Sequence, residues 1–219
     1  MEDLSEQMIR THCPHCAEGS FAFKFLLSQS QHFKVLCDVH PLMEGHLLII
    51  PKRHVACAGE YTPEEWEDFN KIYPYVTQWV YKKFGSVATF EHGKIGQTVF
   101  HSHIHVLPFK GSADEIVPEG NHYYRPLESL KELCRIFQEE GQYLFFSIDQ
   151  SKWAVDTCLG KPRFFRDRFA NALGCPERAD WKATAKNPEL QEIGREENER
   201  CRNKFLEDSQ QISLFKSQS

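Results

Sequence analysis

His101, His103 and His105 stand at alternate positions in residues 98–108, TVFHSHIHVLP. On an extended chain alternate side chains share a face, with same-face Cα atoms about 7 Å apart. The three imidazoles would therefore line one surface, while Ser102, Ile104 and Val106 turn toward a core. Near neutral pH an imidazole can bind a metal, relay a proton or attack an electrophile. The bland alternative is a polar surface strand; the apolar alternation and the glycine-bearing loop HGKIGQ (92–97) before it argue against that. A second cluster, Cys13-Pro-His-Cys16, is half a metal site. Tetrahedral zinc needs two further Cys or His ligands, and alone the pair could equally be redox-active or fortuitous.

The surrounding segments must hold these groups in place. FKVLCD (33–38) and HLLIIP (46–51) are predicted strands joined by a turn at PLMEG, with Gly45 at its special backbone position. Thr62, Pro63 and Glu65 form a capping box with proline at the first helical position. They predict a helix to about Phe84 whose inner face carries Trp66, Phe69, Ile72 or Tyr73, Val76, and Trp79 or Val80, kinked or split at Pro74. Strands follow at 87–91 (VATFE) and 98–108. Strands against one long helix make an α+β domain with an antiparallel sheet over residues 1–110. Residues 111–219 read as an extension packed on it: a helix over 127–139, strands YLFFSID and KWAVDTC, and a helix ending at Gly174. A charged helical tail follows from about 187, and the Ser/Gln-rich end is expected to be loose. Trp153 and Trp181 are assigned to the core.

The stretch from Gly96 through His101, His103 and His105 to Pro108 resembles the signature of the histidine-triad family, His-φ-His-φ-His-φ-φ, in its Hint-like and Fhit-like branches. The likeness runs from about residue 12 to 110. Ser102 departs from it, since an apolar residue is usual there; this affects packing on the face away from the chemistry. The resemblance implies that His103 is the nucleophile, forming a covalent nucleotidyl-histidine at an α-phosphorus, with a backbone carbonyl on its other nitrogen. His105 and His46 would support it, and His101 completes the triad. Gly96, Gln97 and Thr98 would bind phosphate oxygens, Asp38 the ribose hydroxyls, and His40 would border the base. Glu91 stands at the loop start, where the family usually carries Asn or Gln contacting the phosphate or leaving group; an ionised carboxylate would repel phosphate, so Glu91 is either a proton donor or a residue favouring an amine-bearing leaving group, or equally an ordinary loop residue. Zinc-bearing members pair the Cys-x-x-Cys with two histidines, which implies structural Zn²⁺ at Cys13, Cys16, His54 and His101, as in the related galactose-1-phosphate uridylyltransferases. His15 is then a bystander. PRFFRDRFANALGCPERADWK loosely resembles the extension of CwfJ-like proteins; it makes Arg163, Arg166 and Arg168 candidates for phosphate contact, with a solvated helix face as the equal alternative.

The chain has 219 residues, 41% hydrophobic and 26% charged, with net charge −5. No apolar run approaches the ~18 residues that span a bilayer, and no basic stripe suits nucleic acid. The start MEDLSEQMIR lacks an apolar leader, so a cytoplasmic protein with reduced cysteines is expected. A nucleotide is the expected substrate, with dinucleoside polyphosphates first because the QTVFHSHIHVLP stretch looks Fhit-like. Phosphoramidase, nucleotidyl transferase or phosphorylase, and non-catalytic nucleotide sensor are the alternatives. The resemblance also implies a homodimer.

Overall fold

A computed structural model describes residues 12–216. Residues 1–11, which include the MEDLSEQMIR start, and residues 217–219 of the Ser/Gln end lie outside them. Eight strands form one antiparallel sheet: β1 (Leu26–Gln29), β2 (Phe33–Cys37), β3 (Leu47–Pro51), β4 (Ala88–Gly93), β5 (Ile104–Leu107), β6 (Tyr124–Pro126), β7 (Tyr143–Ile148) and β8 (Ser151–Val155). Their spatial order is β1-β2-β3-β5-β4-β7-β8-β6. Among the described residues the α-helices are α1 (Pro63–Phe84), α2 (Ala113–Ile116), α3 (Glu132–Glu140), α4 (Phe164–Ala172), α5 (Trp181–Thr184) and α6 (Pro188–Lys216). The α+β arrangement and antiparallel sheet agree with the sequence reading. No helix among the described residues is long and apolar enough to cross a membrane.

Helix α1 begins at the expected capping box: Thr62 Oγ1 accepts from the Glu65 amide at 3.2 Å, and Glu65 Oε2 accepts from the Thr62 amide at 2.8 Å. It runs unbroken through Pro74, so of the expected kink or split the split does not occur. Thr77 Oγ1 donates to the Tyr73 carbonyl at 3.0 Å next to the proline. The helix buries Trp66, Phe69, Ile72, Val76 and Val80 against one face of the sheet. Helix α4 covers the other face with Phe164, Phe165 and Phe169.

On that second face, cross-strand pairing aligns Leu36, Leu48, His105, Phe90, Phe146 and Trp153 in a continuous row. His105 is the single imidazole in it, and it stacks on Phe90 with ring centroids 4.2 Å apart. The residues after 111 do more than pack on the first half. Strand β7 pairs with β4 from Ala88↔Ile148 to Gly93↔Tyr143 and continues the same sheet. That edge of β4, which would otherwise present unpaired amides to another chain, is thus satisfied within the chain.

Two strand boundaries differ from the sequence reading. The histidine strand is shorter than 98–108: regular pairing begins at Ile104, so His101 and His103 sit on the segment entering β5. Strand β4 is longer, reaching Gly93. Strands β1 and β6 carry too few alternating apolar residues to announce themselves.

Candidate functional site

His103 is held by its own segment. Its Nδ1–H donates to the carbonyl of His101 at 2.6 Å, which leaves Nε2 with the lone pair. Burial lowers its pKa, against the opposing pull of that carbonyl and of the Asp38 carboxylate, and the nearby Arg166 charge adds to the lowering. Behind it runs a chain of hydrogen bonds with one consistent polarity. The Leu42 amide donates to His46 Nδ1 at 3.0 Å, so the His46 proton sits on Nε2. That nitrogen lies 2.9 Å from His105 Nδ1 and donates to it. His105 must then carry its proton on Nε2, as a donor. Burial lowers the pKa of His46 to about 4 and that of His105 well below its ordinary value. Both rings are therefore neutral near pH 7.

Asp38, His46 and His105 bring one ligand atom each within 4.8 Å of one another. They do not fit a metal, because their donor atoms are already committed. Asp38 Oδ1 accepts from the His40 amide at 2.9 Å, and Oδ2 accepts from Arg166 Nη1 at 2.8 Å. The two imidazoles are 3.7 Å from Oδ2, too far for hydrogen bonds. Burial pushes the Asp38 carboxyl up, but the Arg166 charge, the hydrogen bond from the His40 amide and the neighbouring imidazoles together outweigh it and hold the pKa below the usual value.

A second cluster does fit a metal. Ligand atoms of Cys13, Cys16, His54 and His101 all lie within 4.8 Å of one another. Cys13 Sγ and Cys16 Sγ are 3.4 and 3.2 Å from His101 Nδ1, and Cys16 Sγ is 3.2 Å from His54 Nδ1. Tetrahedral zinc, with Zn–S about 2.3 Å and Zn–N about 2.0 Å, would set such pairs roughly 3.5 Å apart. His101 Nε2 donates to the Pro51 carbonyl at 2.8 Å, which turns the Nδ1 lone pair toward the thiols. His101 thus turns its ring to the metal cluster and gives its carbonyl to His103.

His103 and His105 open into a cleft of about 230 Å³. Its apolar side is Ala22, Leu36, Val39 and Leu48; Asp38, His40, Thr98, Arg166 and Trp181 complete much of its polar side. His40 and Trp181 stack at 5.9 Å, and the indole N–H donates to Thr98 Oγ1 at 3.0 Å. Trp181 is thus a cleft residue and not core; Trp153 is packed on Phe146 as expected. His15 is not among the metal-cluster residues; it lines the cleft, with its ring 5.2 Å from that of His103.

Several expected substrate contacts point elsewhere. Glu91 is fully buried, because β4 continues past it and strand parity turns it to the face opposite His105. There it accepts from Ser102 Oγ at 2.6 Å, from the Ala58 amide at 3.1 Å and from the Tyr143 hydroxyl. Burial raises its pKa to about 7. Of the loop trio only Thr98 lines the cleft. Gln97 Nε2 donates to the Ala56 carbonyl at 2.6 Å. Gly96 has φ +77°, and a Cβ there would meet the Lys161 carbonyl at 2.3 Å, so glycine is required for the extension to close against the loop. Among the three arginines, Arg163 pairs with Asp167 and Asp180, and Arg168 with Glu119. Arg166 alone reaches the cleft. Its approach to Asp38 spans 128 residues of sequence and left no local signal.

A family model described as "HIT domain" matches residues 22–111. The chain is 28% identical over 112 residues to Protein hit of Bacillus subtilis (strain 168), covering 46% of this chain and 77% of that one. It is 25% identical over 189 residues to the CWF19-like protein 1 homolog of Drosophila melanogaster, covering 80% of this chain and only 34% of that one. Over 79 residues it is 38% identical to the bis(5'-adenosyl)-triphosphatase of Dictyostelium discoideum, covering 34% of this chain and 53% of that one. The chain therefore spans well under two thirds of two of these three relatives.

Proposed function

We propose, from the premise that this chain belongs to the histidine-triad superfamily through residues 22–111, that it is a nucleotide hydrolase or nucleotidyl transferase acting through His103. The observation that carries this reading is the 2.6 Å hydrogen bond from His103 Nδ1 to the His101 carbonyl, which leaves Nε2 unprotonated in a cleft beside a neutral His105. In the proposed reaction His103 Nε2 forms a bond to the α-phosphorus of a nucleotide, and the bond from phosphorus to the leaving group breaks with its electron pair. The leaving group takes a proton from solvent. Water then forms a P–O bond as the N–P bond breaks, a proton from that water returns to solvent, and a nucleoside monophosphate is released. Splitting the displacement in two lowers each barrier. His105, donating from Nε2, stabilises charge on a phosphate oxygen, and His46 fixes that tautomer. The apolar wall of Leu36, Val39 and Leu48 receives the base.

Zn²⁺ is the proposed occupant of the Cys13, Cys16, His54 and His101 cluster, where it would link the N-terminal loop to the segment carrying His103 without taking part in the chemistry. Dinucleoside polyphosphates are the first substrates to test, and the Dictyostelium relative carries a name of that kind. A homodimer, which the resemblance implies, would have to form without the β4 edge that β7 already occupies. The test is turnover of diadenosine tetraphosphate and, separately, adenosine 5′-phosphoramidate by wild type and by His103→Ala. Release of AMP by wild type, lost in the variant, supports the reading, and the faster substrate selects between anhydride and phosphoramidate. Equal turnover by the two proteins would sink it.

A further inference from the structure

We propose that Arg166, supplied by the extension, is the anion-binding residue of the cleft and grips a phosphate of the substrate with its one uncommitted N–H. This deepens the nucleotide reading and rests on it. A guanidinium has five N–H donors in a fixed plane. Four are committed: Nε to the Ala179 carbonyl at 3.1 Å, Nη1 to Asp38 Oδ2 at 2.8 Å, and Nη2 to the carbonyls of His40 at 2.8 Å and Arg178 at 3.2 Å. The remaining N–H is on Nη1. Arg166 is only 6% exposed, and it lines the same cleft as His103 and His105.

The charge inventory of the cleft points the same way. Besides its imidazoles, Asp38 and Arg166 are the only ionisable side chains among the described lining residues. An anion entering beside His103 has this one cation to meet. Four fixed acceptors hold the guanidinium in place, so little further ordering is needed when an anion binds. A cation needed only to join the two halves would gain nothing from facing the cleft, and burying it costs several kcal/mol before pairing. The ligand class is a phosphate ester or anhydride whose phosphorus lies beside His103, with Arg166 and the Nε2–H of His105 both donating to its oxygens.

The test compares binding of adenosine, AMP and inorganic pyrophosphate by titration calorimetry. Wild type, Arg166→Gln and the double variant Asp38→Asn/Arg166→Gln are used, each checked for cooperative thermal unfolding. The double variant leaves no unpaired buried charge, so it stays informative if the single one does not fold. Wild type should bind AMP more tightly than adenosine. That preference should fall by about tenfold to a hundredfold in the folded Arg166 variants, the range for a hydrogen bond to a charged group. Adenosine itself should be affected far less. A preference that persists in a folded Arg166 variant overturns the proposal and leaves the nucleotide reading standing. Pyrophosphate binding that is lost with Arg166, without any binding of adenosine or AMP, supports the anion site and overturns the nucleotide reading. If wild type binds none of the three, both are overturned.

Discussion

The chain up to residue 111 carries the triad histidines and the Cys/His cluster, whereas the chain after it supplies the guanidinium and the indole that complete the cleft. The first region displays its chemistry locally: three imidazoles fall within five residues, and a cysteine pair within four. The second acts through single side chains placed by tertiary packing. Helix α4 covers the sheet face that bears His105, and from it Arg166 reaches Asp38, 128 residues away. One sheet unites the two through β4 and β7. The comparison teaches that a site can be seeded by a short motif and yet have its electrostatics set by a segment without any motif.

The contact between the regions should show the largest stability effect. Arg166→Met leaves Asp38 ionised and buried without its cation, which should cost about 3–5 kcal/mol. In a chain of this size that lowers Tm by roughly 10 °C. Asp38→Asn/Arg166→Gln should recover much of the loss, and a double variant no more stable than the single one would separate the two regions energetically. Within the first region, Cys16→Ser or treatment with a strong chelator should lower Tm by roughly 5–10 °C. Metal analysis of gently purified protein should find zinc, with less retained by the variant. Zinc content well below one per chain would remove the metal assignment.

Glu91 sharpens the comparison from inside the sheet. Buried beside Tyr61, Tyr143, Cys57 and the charge of Glu60, its pKa is raised from 4.5 to about 7. Between those values the folded protein holds a proton that the unfolded chain has released. Its contribution to stability therefore falls as pH rises from 4.5 to 7, by about 3 kcal/mol in all, and is flat above. Unfolding free energies from urea titrations across this window should show wild type losing that amount relative to Glu91→Gln as pH rises. A difference independent of pH would mean that Glu91 is not protonated in the folded state. The smallest effect belongs to the start of α1. Thr62→Ala should cost about 1 kcal/mol through loss of the cap, a shift of roughly 2–4 °C in Tm that leaves nucleotide binding unchanged.

The parts of the fold and site that could be read from sequence are those with local causes. The capping box placed α1 at its observed start, and the apolar runs placed β2 and β3. Where regular pairing ends depends on neighbouring strands, which is why β5 was read too long and β4 too short. The second error had a chemical consequence. A loop residue can turn either way, but inside a strand Glu91 is committed to the face opposite His105. Arg166 and Trp181 were two of several similar residues in a stretch without a motif, and only packing against Asp38 and Thr98 distinguishes them. His15 was hidden by its own neighbours, since a cysteine pair draws attention to the metal and away from the ring between them.

The central claim is that His103 is a nucleophile, and the most direct test is intact-protein mass spectrometry after rapid quenching with diadenosine tetraphosphate. The account predicts an adenylyl adduct on wild type, mapped to His103 and absent from His103→Ala, accompanied by AMP. AMP release with no adduct at any quench time, or an adduct that persists in His103→Ala, would contradict it.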